Sequence, residues 1–301
     1  MMTHQREPRP VVVGMDGSEA SRRAAEFATA EAGRRDVPLL ILHALTFPSG
    51  GIADLPTEGG DVGTLVHQGA ETILRATADH ATETLGADRV SWAMVDENPV
   101  VALRTASEEA QLLVVGSRGV GGVAGLLLGS TANGVVTDAS CPVVVLPDET
   151  SVVVRERASV VVGVEGRAGD EDVLAFAFAE AAARRADLVA VHAWQDATLE
   201  TAFQSVGPLV DWAGVLSDEE RALSEALAGW RDKEPDVRVR EVVVRERTAR
   251  ALVAVGLTAE LLVVGHRHRR AFARLGATTH GVLHRTGCPV AVVPIPAEES
   301  R

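Results

Sequence analysis

The chain repeats itself. Gly14 and Gly163, Phe27 and Phe176, His43 and His192, Val95 and Val244, Leu103 and Leu252, and Gly116 and Gly265 are each separated by 149 residues. Beyond these the separation falls to 147, at Gly129 and Gly276, Gly134 and Gly281, Cys141 and Cys288, and Pro142 and Pro289. Two residues are therefore missing from a loop of the second copy. Solenoid repeats run to only about 20–50 residues, so a period this long means a duplicated globular domain, and the two halves must share one fold. The expected domains are residues 1–150 and 158–301, joined by a charged, valine-containing segment at 147–159.

Within each copy, short aliphatic runs alternate with longer amphipathic segments. Val11–Val13, Leu39–Leu42, Val90–Val95, Leu112–Val115 and Val143–Leu146 read as strands apolar on both faces, as buried parallel strands are. Glu19–Arg35, Leu65–Leu85, Pro99–Ala110 and Ser130–Ala139 read as helices. This alternation predicts an α/β protein: two tandem, open-twisted, parallel five-stranded sheets with helices on both faces, Rossmann-like in plan. The second copy runs through the same order from Val160 to Val293. Longer connections follow the second strand of each copy, at 46–63 and 195–217, and their length suits lids or partner-facing surfaces.

Composition removes several classes of partner. Aromatic residues make up only 3% of the chain and Tyr is absent, which leaves little for stacking on single-stranded nucleic acid. A net charge of -13 opposes attachment to a phosphate backbone. The opening MMTHQREPRP has no apolar core of the signal-peptide kind, and no stretch reaches the ~20 apolar residues that span a bilayer. A cytoplasmic protein that binds neither nucleic acid nor membrane is expected, with Cys141 and Cys288 as reduced core thiols.

The chemistry of the first copy gathers after its fourth strand: Gly116, two residues, Gly119, nine residues, then Gly129 and Ser130. In an open α/β sheet, ligands settle at the carboxyl ends of the strands where the winding reverses. If the first and fourth strands flank that point, Asp16 and the segment after Val115 face one crevice. Gly116 and Gly119 would let the backbone bend and approach a ligand. Gly129–Ser130 opens a helix whose free amides and positive dipole end suit phosphate oxygens. Arg118 would add a positive charge.

Taken together with VVVGMDGS around Asp16, the His43–Ala44 pair that ends the second strand, and the closing CPVVVLP, this G-x2-G-x9-G-(S/T) spacing resembles the universal stress protein family in its tandem form. The likeness covers residues 10–148 and 159–295. It implies an adenine nucleotide alpha-hydrolase-like fold and ATP as ligand. Carried over by position, it puts Gly14, Asp16, Ala44, Val115 and Gly116 about base and sugar. Arg118, Gly119, Gly129, Ser130 and Thr131 then fall about the triphosphate, with Mg²⁺ held mainly through phosphate oxygens. It implies a stress-response regulator with an unnamed protein partner. It also implies that the two copies pair through their last strands inside one chain, with further pairing of whole chains left open.

The second copy departs from that pattern. His268 stands for the second glycine, Ala277 for the serine and Glu165 for Asp16, and only seven residues separate His268 from Gly276. A Cβ at 268 would oppose positive φ, Ala277 lacks a hydroxyl, and the shorter loop reaches less far, so weak ATP binding or none is expected there. Arg267, His268, Arg269, Arg270 and Arg274 read as a solvated basic rim, with side-chain capture of a different anion as the alternative. His266, His268, His280 and His284 invite a metal reading, but no cysteine or carboxylate is placed to complete a shell. No nucleophile-and-base pattern stands out, so no dedicated catalysis is expected. Slow ATP hydrolysis, adenylyl transfer and a nucleotide-free scaffold remain alternatives.

Overall fold

The computed structural model describes residues 8–46, 53, 55–57, 60–120, 128–147, 158–166, 170–194, 211–267 and 275–296. The chain divides into two compact units, Met1–Asp148 and Glu149–Arg301. The joining segment falls almost wholly outside the described residues, as do 121–127 of the glycine loop and His268, Arg269, Arg270 and Arg274.

In the first unit the elements are β1 (Val11–Gly14), α1 (Glu19–Arg35), β2 (Leu39–Ala44), β3 (Pro56–Thr57), β4 (Gly60–Asp61), α2 (Val62–Leu85), β5 (Val90–Val95), α3 (Pro99–Glu109), β6 (Leu112–Gly116), α4 (Ser130–Asp138) and β7 (Val143–Leu146). Five strands form one parallel sheet in the order β7-β6-β1-β2-β5. The chain first winds outward through β2 to β5, then crosses to β6 and winds the other way. Because strand–helix–strand crossovers are right-handed, that reversal puts the helices on opposite faces: α1 and α2 pack together on one, α3 and α4 together on the other. β3 and β4 form a separate antiparallel pair in the long connection.

The second unit repeats this with β8 (Ser159–Gly163), α5 (Asp170–Arg184), β9 (Asp187–Ala193), α6 (Trp212–Lys233), β10 (Val239–Val244), α7 (Thr248–Gly256), β11 (Leu261–Arg267), α8 (Ala277–Leu283) and β12 (Val290–Ile295). Its parallel order is β12-β11-β8-β9-β10. Even unusual backbone recurs in register: Asp36 and Arg185 take left-handed φ of 54° and 52°, and Gly17 and Gly166 positive φ of 85° and 72°.

Local chemistry sets the boundaries. Ser18 caps α1 by accepting the Ser21 amide, and left-handed Asp36 returns its own amide to carbonyls of the last turn. The buried face of α1 is mostly alanine, at Ala20, Ala24, Ala25, Ala28 and Ala32, which brings the helix close to the sheet. α2 starts at Val62, three residues before the expected Leu65, because the Asp61 carboxylate accepts the Thr64 amide at 2.7 Å.

The central strands β1 and β6 are buried up to the glycines that end them, whereas β5 exposes Ser91 and Trp92. The expectation of two apolar faces fails there because β5 ends the sheet order and α2 covers it incompletely. Cys141 and Cys288 are buried and free, and burial pushes the Cys141 thiol up to about 12. Among the described residues no helix is long and apolar enough to cross a membrane.

Candidate functional site

The strand order reverses between β1 and β6, so the chain leaves their carboxyl ends in opposite directions, to α1 and to α4, and a crevice opens between them. A cleft of about 470 Å³ lies there. Gly14 and Asp16 line it from β1 and the following turn, Ala44 from β2, Val115 and Gly116 from β6, Arg118 and Gly119 from the loop, and Gly129, Ser130 and Thr131 from the start of α4. All the residues singled out from the sequence thus face one space. Sequence reasoning missed Met15, Ser21, Leu42, Pro99, Leu103, Ser117, Val120, Leu128 and Ala132 in the same wall. Leu42, Pro99, Leu103 and Val115 give the cleft apolar lining, and Ser117, Ser130 and Thr131 line it with hydroxyl-bearing side chains.

The polar lining is built on the N-terminus of α4. Its N-cap residue, Gly129, has extended backbone and offers no side-chain cap, so the first amides of the helix are not taken by a capping side chain. The Gly129 amide itself is held by the Ser117 carbonyl at 2.7 Å, which fixes the helix start against the end of β6. Uncapped amides and a positive dipole end, turned into a cleft through Ser130, Thr131 and Ala132, favour an anion.

The glycines are required for reasons other than those expected. Positive φ occurs at Gly17, Gly86 and Gly166, and not at Gly116, Gly119 or Gly129. A Cβ on Gly116 would lie 2.8 Å from the Ala20 Cβ and 2.9 Å from the Ala20 carbonyl carbon, so this glycine lets β6 pass under the start of α1. A Cβ on Gly119 would lie 2.3 Å from Oδ2 of Asp16. Both make room for protein, and for Gly119 the neighbour is itself a site residue.

Asp16 is more than a wall. Its Oδ1 accepts the Ser18 amide at 3.0 Å and its Oδ2 the Val120 amide at 2.9 Å, which ties the turn after β1 to the glycine loop. The Arg118 carbonyl lies 3.5 Å from the Ser18 hydroxyl beside this tie. Burial works to raise the Asp16 carboxyl, but hydrogen bonds from Ser18, Val120 and Ser21 together outweigh it and hold it below its ordinary 3.8.

His43 is the penultimate residue of β2 and is buried. Burial, helped by His67, pushes its pKa below the ordinary 6.5 against the pull of the Met15 backbone and Asp16. A depressed imidazole stays neutral in the fold while the unfolded chain takes up the proton first. Its effect on stability is therefore absent above 6.5, and stability falls as pH drops from there toward the folded value. The melting temperature of His43→Gln should fall less than that of the native chain between about pH 7.5 and about pH 5.5. Equal pH slopes would show that His43 does not titrate on unfolding.

The second unit arranges the same positions differently. Glu165, in register with Asp16, lies 3.9 Å from the guanidinium of Arg267, which is in register with Arg118. Asp170 stands where Ser21 stands in the first copy, buried at the start of α5, and its Oδ2 accepts the Glu165 and Gly166 amides at 3.0 and 2.6 Å. Two carboxylates thus gather where the first unit has one, which disfavours a phosphate. The repeat period would have placed Asp170 opposite Ser21 in the sequence; Glu165 alone was noticed.

His192 spans from the Val164 carbonyl at 2.8 Å to Glu219 at 2.9 Å, a structural bridge between strand ends and α6. The His280 and His284 rings lie tilted to each other with centroids 4.1 Å apart, and no group of three or more His, Cys, Asp or Glu side chains able to hold a metal occurs among the described residues.

Comparison with known proteins agrees with the architecture. The family model described as "Universal stress protein family" matches residues 7–147 and again 157–294. Universal stress protein Rv2623 of Mycobacterium tuberculosis (strain ATCC 25618 / H37Rv) is 36% identical over 287 residues, covering 94% of this chain and 95% of its own. Universal stress protein Rv2005c of the same strain is 35% identical over 297 residues, covering 97% and 99%. Among solved structures, a universal stress protein from Archaeoglobus fulgidus DSM 4304 shares the fold with a TM-score of 0.69 at 20% identity, over 97% of this chain and 98% of that one. With both halves matched by one family model and relatives alike over nearly their whole length, the chain belongs to the universal stress protein family as a tandem member.

Proposed function

We propose that the first unit binds an adenine nucleotide, ATP in particular, and that its occupancy sets the shape of a surface read by a protein partner in a cytoplasmic stress response. The observation that carries this is one cleft lined both by apolar Leu42, Pro99, Leu103 and Val115 and by a helix N-terminus whose N-cap residue, Gly129, makes no side-chain cap. The first suits a base and the second its phosphates. Mg²⁺ belongs on the phosphate oxygens in this reading, since the described residues gather no carboxylate cluster for it.

Binding, rather than catalysis, is the proposed role. Among the described residues of the wall, Asp16 is the sole carboxylate and is engaged by main-chain amides, and no histidine lines the cleft. The second unit is proposed to bind ATP weakly or not at all, because Glu165 and Asp170 crowd its equivalent turn.

Adenine nucleotide released by acid quenching of the purified protein, at about one per chain, is the expected result. ATP at about a hundredfold excess over Kd should stabilise the first unit by ~2.7 kcal/mol, read as a rise in melting temperature. No released nucleotide together with no ATP-dependent shift would refute the reading.

A further inference from the structure

Met15 lines two spaces. One is the cleft at the carboxyl ends of β1 and β6, and the other is a groove of about 280 Å³ between α1 and α2. Ala25 and Thr29 of α1 and Ile73, Ala76 and Thr77 of α2 form the sides of this groove. Its polar groups are turned to other tasks. Thr29 and Thr77 donate their hydroxyls to the Ala25 and Ile73 carbonyls of their own helices, each at 2.8 Å, so neither offers its proton to a ligand. At the rim Arg22 pairs with Glu19 at 3.0 Å and His80 lies 3.7 Å from Glu83, both along their own helices. The Glu26 carboxylate, also at the rim, repels an anion.

The second unit shows what its own seam between helices takes. In the 149-residue register Leu174 stands for Ala25 and Phe178 for Thr29, and both are buried. Trp230 stands for Ala81 and stacks on Phe178, with ring centroids 5.8 Å apart and planes 18° from parallel. Flat rings therefore pack between α5 and α6 where the first unit carries alanine and threonine.

We propose that the groove between α1 and α2 is a binding site for a small, uncharged aromatic molecule, a ring brought from outside where the second unit builds in Phe178. Alanine at 25 and 76 keeps the walls low enough for a flat ring, and the Met15 thioether is a favoured neighbour of aromatic groups. A closed apolar cavity of about 150 Å³ takes one benzene. The larger, open groove has room for a bicyclic ring such as indole. This site is separate from the proposed nucleotide cleft and does not rest on it; among the described residues Met15 is the one lining residue that the two share.

The chain has four methionines, so the Met15 methyl is readily followed by NMR after ¹³C-methyl labelling. Indole is the probe and 1-hexanol the aliphatic control. Thr29→Phe copies the second unit, and Ala76→Leu narrows the groove from an exposed helical position where leucine costs little. The second substitution keeps the test decisive if phenylalanine at 29 disturbs the packing of α1. The expected result is a saturable shift of the Met15 methyl with indole, tighter binding of indole than of hexanol, and indole affinity lowered at least about tenfold in both variants. The melting temperature of Ala76→Leu should stay native.

No saturable shift of Met15, or unchanged indole affinity in a folded Ala76→Leu, overturns the proposal. Hexanol bound as tightly as indole overturns the aromatic class. Because Met15 also lines the cleft, ATP is added as a competitor: indole that ATP displaces and neither substitution weakens sits in the cleft, and the groove falls. Indole binding lost in both variants of a chain that binds no ATP refutes the nucleotide reading and leaves the groove standing.

Discussion

Gly119→Glu should remove ATP binding from the chain, lowering affinity by at least about a hundredfold, or ~2.7 kcal/mol, while Gly276→Glu leaves it unchanged. The two glycines differ in what surrounds them. A Cβ at 119 meets the Asp16 carboxylate at 2.3 Å, so a glutamate there displaces Asp16 and adds a second carboxylate beside the amides at the start of α4. Like charges forced together in such a site cost several kcal/mol, and the loss falls on an anionic ligand. The fold itself should tolerate the change, because Gly119 is exposed and, among the described residues, its only close neighbour is the end of a side chain. Gly276 caps α8 with no atom of the described residues within 4 Å of a built Cβ, and an acidic side chain at a helix start is, if anything, favourable by ~0.3–1 kcal/mol. Calorimetric titration of both variants with ATP separates them. Native-like affinity in Gly119→Glu would place the nucleotide elsewhere.

Gly116→Ala and Gly265→Ala occupy the same position of the repeat and should have unequal costs. At 116 the new methyl lies 2.8 Å from the Ala20 Cβ and 2.9 Å from the backbone carbon of the same residue, so the start of α1 must move off the sheet. Overpacking of this kind costs about 1–3 kcal/mol, and about 2 kcal/mol corresponds to a fall of roughly 4–8 °C in the melting temperature of a unit this size. At 265 the nearest atoms are Ile295 Cδ1 at 2.6 Å and Val173 Cγ2 at 3.0 Å, both methyl ends of side chains that can turn away. Less than about 1 kcal/mol is expected there. Thermal or denaturant unfolding that found the second variant equally or more damaged would contradict the packing argument. Because Gly116 also lines the cleft, ATP stabilisation should shrink in the first variant.

Much of this protein was legible from residue order. The limits of α1, Glu19 to Arg35, agree between sequence and structure because Ser18 is a local cap and the apolar spacing stops where Asp36 turns left-handed. α2 shows where local reading falters. Asp61 and Thr64 form an ordinary cap, yet they sit inside a long connection whose composition reads as loop, and the first turn of the helix went unseen. The residues that line the cleft of the first unit were legible for a similar reason. Glycine spacing marks the ends of strands and starts of helices, and in an open parallel sheet those ends converge at one crevice.

What the spacing could not supply was the reason for each residue. Glycine at 119 suggested positive φ and room for a ligand, while its actual neighbour is Asp16. Nothing in the spacing marked Asp170, whose carboxylate holds the Glu165 and Gly166 amides from the position that Ser21 occupies in the first copy.

Order along the chain by itself determined the duplication, the strands, the helices and the crevice at which they meet, because periodicity and caps are properties of neighbours a few residues apart. Only the tertiary structure decided that Asp16 reaches Val120, that Gly116 runs beneath Ala20, and that Glu165 turns toward Arg267. Those partners lie about a hundred residues from one another, and their meeting depends on how closely an alanine-faced helix settles on the sheet, a distance that no local pattern encodes.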